Sequence, residues 1–315
     1  MALVLHTQKL SNPHDCAYDL GEIGLPSDMQ KLAKQHVSAY NMGMAPLEEF
    51  VDQQLRLGRT SFSREEAQQA LPLKEDGLVS ALVRLGKRKR IASPHKGFYL
   101  ILRPEDQSRG APDPAQWIDP LMRYVGLDYR VSLLRASAFH GSSHQAAMVF
   151  QVIVPRQLRS VELGKHRLQF LTQSPRDFDA TNQGRWLEQL KTSAGFARVA
   201  GPALTLLDCV RYVQKAGGIS HVAQIVKDIG SKVDPRDLKQ IAAHYESSCV
   251  RRLGYLFEKA GQEKQARALE PFATNAKTAV LLDPSVKPAS ALLAKAHERN
   301  ARWKLILNQE VEADF

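Results

Sequence analysis

The chain has 315 residues, 43% hydrophobic and 24% charged, with a net charge of +10 at pH 7; this length predicts two or three compact units, each with its own core. No stretch approaches the ~20 apolar residues that span a bilayer, and the amino terminus has no basic segment or long apolar run, which excludes a membrane span and a signal peptide and points to the cytoplasm. Three widely separated cysteines (Cys16, Cys209 and Cys249) form no CxxC pair, so neither a disulfide framework nor a zinc site is expected.

Residues 1–43 hold Pro13, Gly21, Gly24 and Pro26 in polar surroundings, with one short helical stretch at 27–40. They read as an amino-terminal appendage. From Pro46, apolar side chains fall at Leu47, Phe50, Val51 and Leu55, the face of an amphipathic helix that Gly58 ends. Ser63-Arg64-Glu65-Glu66 has the form of a capping box, with Phe62 and Ala67 as its hydrophobic staple, and opens a short second helix running to Leu71. After Pro72, the positions Leu78, Ala81, Leu82 and Leu85 lie on one face of a third helix that ends at Gly86.

Next comes the cluster Lys87-Arg88-Lys89-Arg90, and then two strand-like runs, 91–92 and 98–102, joined through turn residues at 93–97. Three short helices followed by a basic-tipped hairpin give the element order of a winged helix-turn-helix over 44–103. Residues 104–116, with Pro104, Gly110, Pro112 and Pro114, have the composition of a linker.

The second domain, 117–315, is expected to begin with a helix at 129–139, stopped by Gly141. Strands follow at 146–154, 158–163, 166–172 and 196–200, the second and third of these joined across Gly164-Lys165. Beyond Gly201-Pro202 helical periodicity takes over, with segments at 204–213, 221–229, 235–245, 249–260 and 263–269. The fold class is therefore α+β: a winged helix-turn-helix, then a larger mixed domain with a small antiparallel sheet and a helical carboxy-terminal part.

The positive charge favours a polyanionic partner, because each neutralised phosphate releases condensed counterions. It is spread along the chain: residues 44–109 hold twelve basic against nine acidic side chains, and residues 110–315 hold twenty-eight against twenty. On the third helix, 100° per residue sets Asp76, Ser80, Val83 and Lys87 opposite the buried stripe, with Arg84 beside them. Facing a major groove, Ser80 can bond base edges, Val83 can touch a thymine methyl, Asp76 can accept from cytosine, and Arg84 or Lys87 can reach guanine or phosphate.

Lys87, Arg88, Lys89 and Arg90, with His95 and Lys96 at the hairpin tip, are placed to meet phosphates beside that groove. Ser61, Ser63 and Arg64 stand where the second helix presents its positive end, although capping alone also accounts for Ser63. A solvated helix face and a solvated charge run are the plainer alternatives for the same residues.

Elsewhere, His140 and His144 stand four apart but are separated by Gly141, which breaks the helix that would align them on a metal. A hydrogen-bonded structural turn and a ligand-contacting loop are two readings of His140, His144 and Gln145, which with Arg251 and Arg252 are also the candidate antitoxin or partner surface. Arg251 and Arg252 open an amphipathic segment in which Leu253, Leu256 and Phe257 pack; the arginines can hold an acidic partner or phosphate, and Gly254 admits a close neighbouring helix. Asp208, Cys209, Asp234 and Asp237 read as ordinary capping or surface residues. Neither a nucleotide-binding glycine loop nor a hydrolase or zinc-protease motif is present, so no catalytic residue, metal or cofactor is assigned.

With these segments laid out, residues 44–315 resemble the AbiEi family of antitoxins from bacterial type IV toxin–antitoxin and abortive-infection systems. The resemblance rests on Gly97-Phe98-Tyr99 at the end of the hairpin and on 133–145, with Ala138-Phe139-His140-Gly141 and His144-Gln145. It continues through 201–208, through Arg252-Leu253-Gly254-Tyr255-Leu256, and into the tail from Trp303 to Asp314.

It implies a non-enzymatic repressor that binds inverted repeats in the promoter of its own operon, and whose carboxy-terminal domain counteracts a nucleotidyltransferase toxin, with direct contact to that toxin left open. The 43-residue leader departs from the family pattern. Two rival readings stand beside this one: a carboxy-terminal domain that binds or modifies nucleic acid or the toxin, and a repressor that senses a ligand through the 140–145 loop.

Overall fold

The computed structural model describes residues 46–142, 149–286 and 297–311. Its first elements are α1 (Pro46–Arg56), β1 (Ser61–Ser63), α2 (Arg64–Ala70), α3 (Glu75–Lys87), β2 (Ile91–His95) and β3 (Phe98–Ile101). The capping box at the start of α2 forms as its sequence directs: the Glu66 amide donates to Ser63 Oγ at 3.0 Å, and the Ser63 amide donates to Glu66 Oε2 at 2.7 Å. Phe62 and Ala67, the staple pair, are both buried. Leu78, Ala81, Leu82 and Leu85 are the buried stripe of α3, and they join Leu47, Phe50, Val51, Phe62, Ile91 and Ile101 in one small core.

Helix α3 ends in a Schellman turn, with the Arg90 amide donating to Leu85 O and the Lys89 amide to Gly86 O, both at 3.0 Å. The residue that turns left-handed there is Lys89, at φ +54°, where glycine is the usual choice.

Strand β1 is absent from the sequence-based expectation. It pairs antiparallel with β3, which also pairs with β2, so the hairpin is the centre and one side of a three-stranded sheet in the order β1–β3–β2. β3 serves two cores. Ile101 faces the small one, whereas Phe98 and Leu100 face a second, much larger one, as the alternation of side chains along a strand allows.

Residues 104–116 contain α4 (Pro104–Gln107) and a 3-10 turn at Pro114–Gln116, and Ala111 and Ala115 are buried in the large core. The chain continues through α5 (Ile118–Val125), β4 (Arg130–Val131), α6 (Leu133–Phe139), β5 (Val149–Val154), β6 (Val161–Leu163) and β7 (His166–Thr172). Then come α7 (Pro175–Thr181), β8 (Leu187–Thr192) and β9 (Gly195–Ala200). The sheet they form corrects the expected small antiparallel one: it has six strands in the order β6–β7–β5–β4–β9–β8, and the β5–β7 and β4–β9 pairs are parallel. Five of the six residues of β5 are buried, as suits a central strand covered on both faces.

Against this sheet lie α8 (Pro202–Arg211), α9 (Ile219–Ile229), α10 (Pro235–Ala242), α11 (Ser247–Lys259) and α12 (Glu263–Thr274). Eight of the ten residues of α8 are buried, and it touches α6, α9, α10 and α11, which makes it the axis of the helical layer. A last small sheet of β10 (Val280–Leu281), β11 (Glu298–Asn300) and β12 (Leu305–Leu307) packs on α11. It is fastened by Trp303, whose indole fills the space that a Cβ on Gly254 would need.

One polar network sits inside the large core. Arg130 holds Asp208 with two bonds, Nε to Oδ2 and Nη2 to Oδ1, both 3.1 Å. Ser132 Oγ donates to Oδ2 at 2.7 Å and Tyr245 Oη to Oδ1 at 2.6 Å, so the carboxylate is fully satisfied. The guanidinium also donates to Gln173 Oε1 at 2.7 Å and to Thr181 Oγ1 at 3.4 Å, and it lies over the Phe178 ring. Burial is the largest single influence on Arg130 and acts to deprotonate it, but the charge and hydrogen bond of Asp208, together with Tyr245 and Tyr212, outweigh it and hold the guanidinium above its ordinary pKa.

Asp208 is therefore not the capping or surface residue that its sequence context suggests; with Arg130 it joins β4 to α7, α8 and the residues just after α10. Cys209 beside it is buried as well. Asp234, by contrast, caps α10 through the amides of Arg236 and Asp237, and the Asp237 carboxylate accepts from Trp186 Nε1 at 3.1 Å.

Three outcomes are expected. Asp208→Ala leaves a buried, unpaired guanidinium and lowers unfolding free energy by about 3–5 kcal/mol in urea titration, whereas Lys89→Gly relieves the left-handed backbone and raises it by about 1 kcal/mol. Burial, with the Asp208 charge behind it for Cys209 and the Glu246 charge for Cys249, pushes both thiols up. In a Cys16→Ser chain at pH 8, iodoacetamide should then label neither cysteine until denaturant is added.

Candidate nucleic-acid interface

Helix α3 turns its polar face to solvent. Asp76, Ser80, Val83, Arg84 and Lys87 are all exposed, on the side opposite the stripe that packs into the small core. The glutamate and aspartate of its first turn, Glu75 and Asp76, suit the positive end of the helix. Arg64, at the start of α2, is drawn to Glu75 at 2.8 Å, so this cation is shared between protein and any phosphate near it.

The cluster after α3 divides in two. Arg88 and Arg90 fold back onto α1, pairing with Glu48 and Asp52. Lys87 and Lys89 are exposed and make no ion pair among the described residues. Two of the four cations therefore brace α1 against the end of α3, and two are left for an outside anion; a sequence run of like charges cannot make this distinction, because Glu48 and Asp52 lie about forty residues upstream.

His95 and Lys96 are exposed at the hairpin tip, and the tip is anchored. Tyr124 Oη, from α5, donates to Lys96 O at 3.2 Å, and the Arg64 amide donates to Gly97 O at 2.8 Å. Gly97 is left-handed at φ +80°, and a Cβ there would collide with Tyr124 Oη, so glycine is needed for both reasons. The hairpin tip is thereby held against α2 and α5. Ser61 lies in β1 and lines a cleft of about 480 Å3 with Arg59, Ser63, Arg123 and Tyr124; within it Arg59 pairs with Glu66 at 3.6 Å and Arg123 with Asp119 at 2.6 Å.

Of the residues expected to form a partner surface in the second unit, the three that are described are held in internal bonds. His140 is buried, with Nε2 bonded to Ala200 O at 2.7 Å, and its carbonyl accepts from Lys232 Nζ; it closes α6 onto the end of β9. This removes it from both a partner surface and a ligand-sensing loop. His144 and Gln145 lie outside the described residues.

Arg251 is buried and donates to three backbone carbonyls, Ser247 O at 3.3 Å, Thr278 O at 2.8 Å and Lys304 O at 3.2 Å. Arg252 donates to Leu281 O at 3.0 Å. Both arginines correct the reading as phosphate or acidic-partner contacts: they tie the carboxy-terminal small sheet to α11, and the close neighbour admitted by Gly254 is an indole rather than a helix. Among the described residues no group of three or more His, Cys, Asp or Glu side chains is placed to hold a metal ion, and no helix is long and apolar enough to cross a membrane.

Residues missed from sequence include Val79, an exposed side chain on α3, and Arg130 with its network. The signal for Val79 was present, since an apolar residue one turn before Val83 falls outside the buried stripe.

Comparisons with known proteins bear on the second unit and on the fold. A crystal structure of the RV2827C protein from Mycobacterium tuberculosis superposes with a TM-score of 0.58 over 82% of this chain and 89% of that one, at 14% identity. At that identity the likeness is one of fold. No curated protein matches the sequence. Residues 130–259, which supply every side chain of the Arg130–Asp208 network, match the family model of the AbiEi antitoxin C-terminal domain, the family that the sequence resembles.

Proposed function

We propose that residues 46–102 are a winged helix-turn-helix that binds duplex DNA, and that the chain is a cytoplasmic, non-enzymatic repressor of its own toxin–antitoxin operon. The observation that carries this reading is the exposed face of α3 beside two lysines with no ion pair among the described residues, next to an anchored basic hairpin. A helix of this kind fits a major groove, and cations at its end and at the hairpin tip meet the phosphates on either side. The operator is then an inverted repeat in the promoter of the operon, each half read by one α3.

The antitoxin half of the proposal rests on the match of residues 130–259 to an AbiEi antitoxin domain. In this reading the second unit counteracts a nucleotidyltransferase toxin encoded alongside, and its buried network supports that role by holding the sheet and the helical layer in one arrangement.

Gel-shift titration against the region upstream of its own gene, repeated at several salt concentrations, tests the DNA reading. Binding should be tighter there than on random duplex and should fall steeply with salt. Lys87→Gln with Lys89→Gln should weaken all duplexes alike and reduce the salt slope by up to about 0.9 for each phosphate that is no longer neutralised. Arg88→Gln, which removes a cation already paired with Glu48, should change the slope less. Equal affinity for random and upstream DNA, or a slope untouched by the lysine changes, would overturn the reading.

A further inference from the structure

The exposed face of α3 is not uniformly polar. Val79 and Val83 stand one turn apart on it, 40% and 53% exposed, and an i, i+4 pair lies within about 40° of one direction on a helix. Gly86 continues the strip: it is exposed, and a Cβ there would meet nothing within 4 Å. With Ile91, Ala92 and Tyr99 these residues line a groove of about 200 Å3 between α3 and β2. A single exposed valine is ordinary; two in register, opening into an apolar groove, form a surface.

The border of the strip says what fits it. Lys87 and Lys89 lie at its carboxy-terminal end with no ion pair among the described residues, and Arg84 stands on the far margin of the same helix face. A ligand matching this pattern is apolar at its centre and anionic at its edges. The thymine edge of the DNA major groove has that form, a C5 methyl group between two rows of phosphates. Arginine, the side chain that most often reads guanine, is present only at the margin of the face.

We infer that Val79 and Val83 read thymine methyl groups, so that the operator carries thymine at the bases under the centre of α3. This inference rests on the DNA-binding reading above and names the bases that the site selects. Each methyl group withdrawn from water against a valine is worth about fourfold in affinity, and two about fifteenfold.

The test compares two duplexes of the upstream region, one with thymine and one with uracil replacing every thymine, which deletes the C5 methyl and keeps base pairing. Wild-type protein should bind the uracil duplex about fifteenfold more weakly for each half-site, or about two-hundredfold when both halves of the inverted repeat are occupied. The Val79→Ala, Val83→Ala double variant, altered only at exposed positions, should lose a similar factor on the thymine duplex and should no longer distinguish the two.

Equal binding of both duplexes by the wild type would overturn the inference alone, as would a double variant that keeps the full preference for thymine. A double variant that changes the sedimentation of the free protein while leaving the thymine preference intact would make the strip an interface between copies of the chain, and would overturn it as well. Failure to bind either duplex would overturn this inference together with the DNA-binding reading.

Discussion

The ion pair between Arg130 and Asp208 is the constraint around which the larger unit is organised. A charge withdrawn from water survives only when opposite charge and hydrogen bonds replace its hydration, and here the replacements come from β4, α7, α8 and the residues after α10 at once. Moving any of these elements unpairs a buried group. The pair is thus less a source of net stability than a condition on the arrangement: the sheet and the helical layer meet in the one geometry that satisfies it. At the same corner Leu133 adopts φ +52°, an uncommon conformation for a bulky residue, and the hydroxyl of Ser132 bonded to Asp208 holds the backbone beside it.

A second constraint links the two units. The hairpin strand β3 has one face in each core, and its tip is held by Tyr124 from α5. On the other side, the β6–β7 turn touches the chain before α5, where Gly164 lies against Gly110 and the Arg109 carbonyl so closely that neither glycine could carry a side chain. His166 Nε2 lies 3.0 Å from Ala111 O nearby. A hairpin fastened in this way keeps its orientation to the second unit, so the two units share a strand rather than a tether.

How much of this was legible in the sequence depends on how far apart the partners lie along the chain. The Ser63–Glu66 box, the stripe of α3, the β2–β3 and β6–β7 hairpins and the helices from Pro202 onward are local patterns, and they form nearly where their spacing places them. Strand β1 has only three residues and no alternation to announce it; it exists because β3 offers an edge. Asp208 was unreadable for a stronger reason: its partners are 37, 76 and 78 residues away, and an aspartate on an apolar helix looks the same whether it caps, faces water or meets an arginine.

The candidate site divides along the same line. The exposed face of α3 follows from helical period alone, whereas the sorting of Lys87 and Lys89 from Arg88 and Arg90, and the withdrawal of His140, Arg251 and Arg252 into structural bonds, needed the tertiary fold.

The plug of Trp303 against Gly254 bears on the order in which the protein is completed. Every residue of the small core precedes position 102, while the large core is not whole until Trp303 and Leu305 arrive about two hundred residues later. At ordinary rates of synthesis that interval is roughly 10–40 s. Early in it the small unit is able to fold while one face of β3, bearing Phe98 and Leu100, waits for α5, whose Tyr124 ring lies against Phe98. The shared strand is thus joined to the larger unit by α5, well before Trp303 closes that unit's own core.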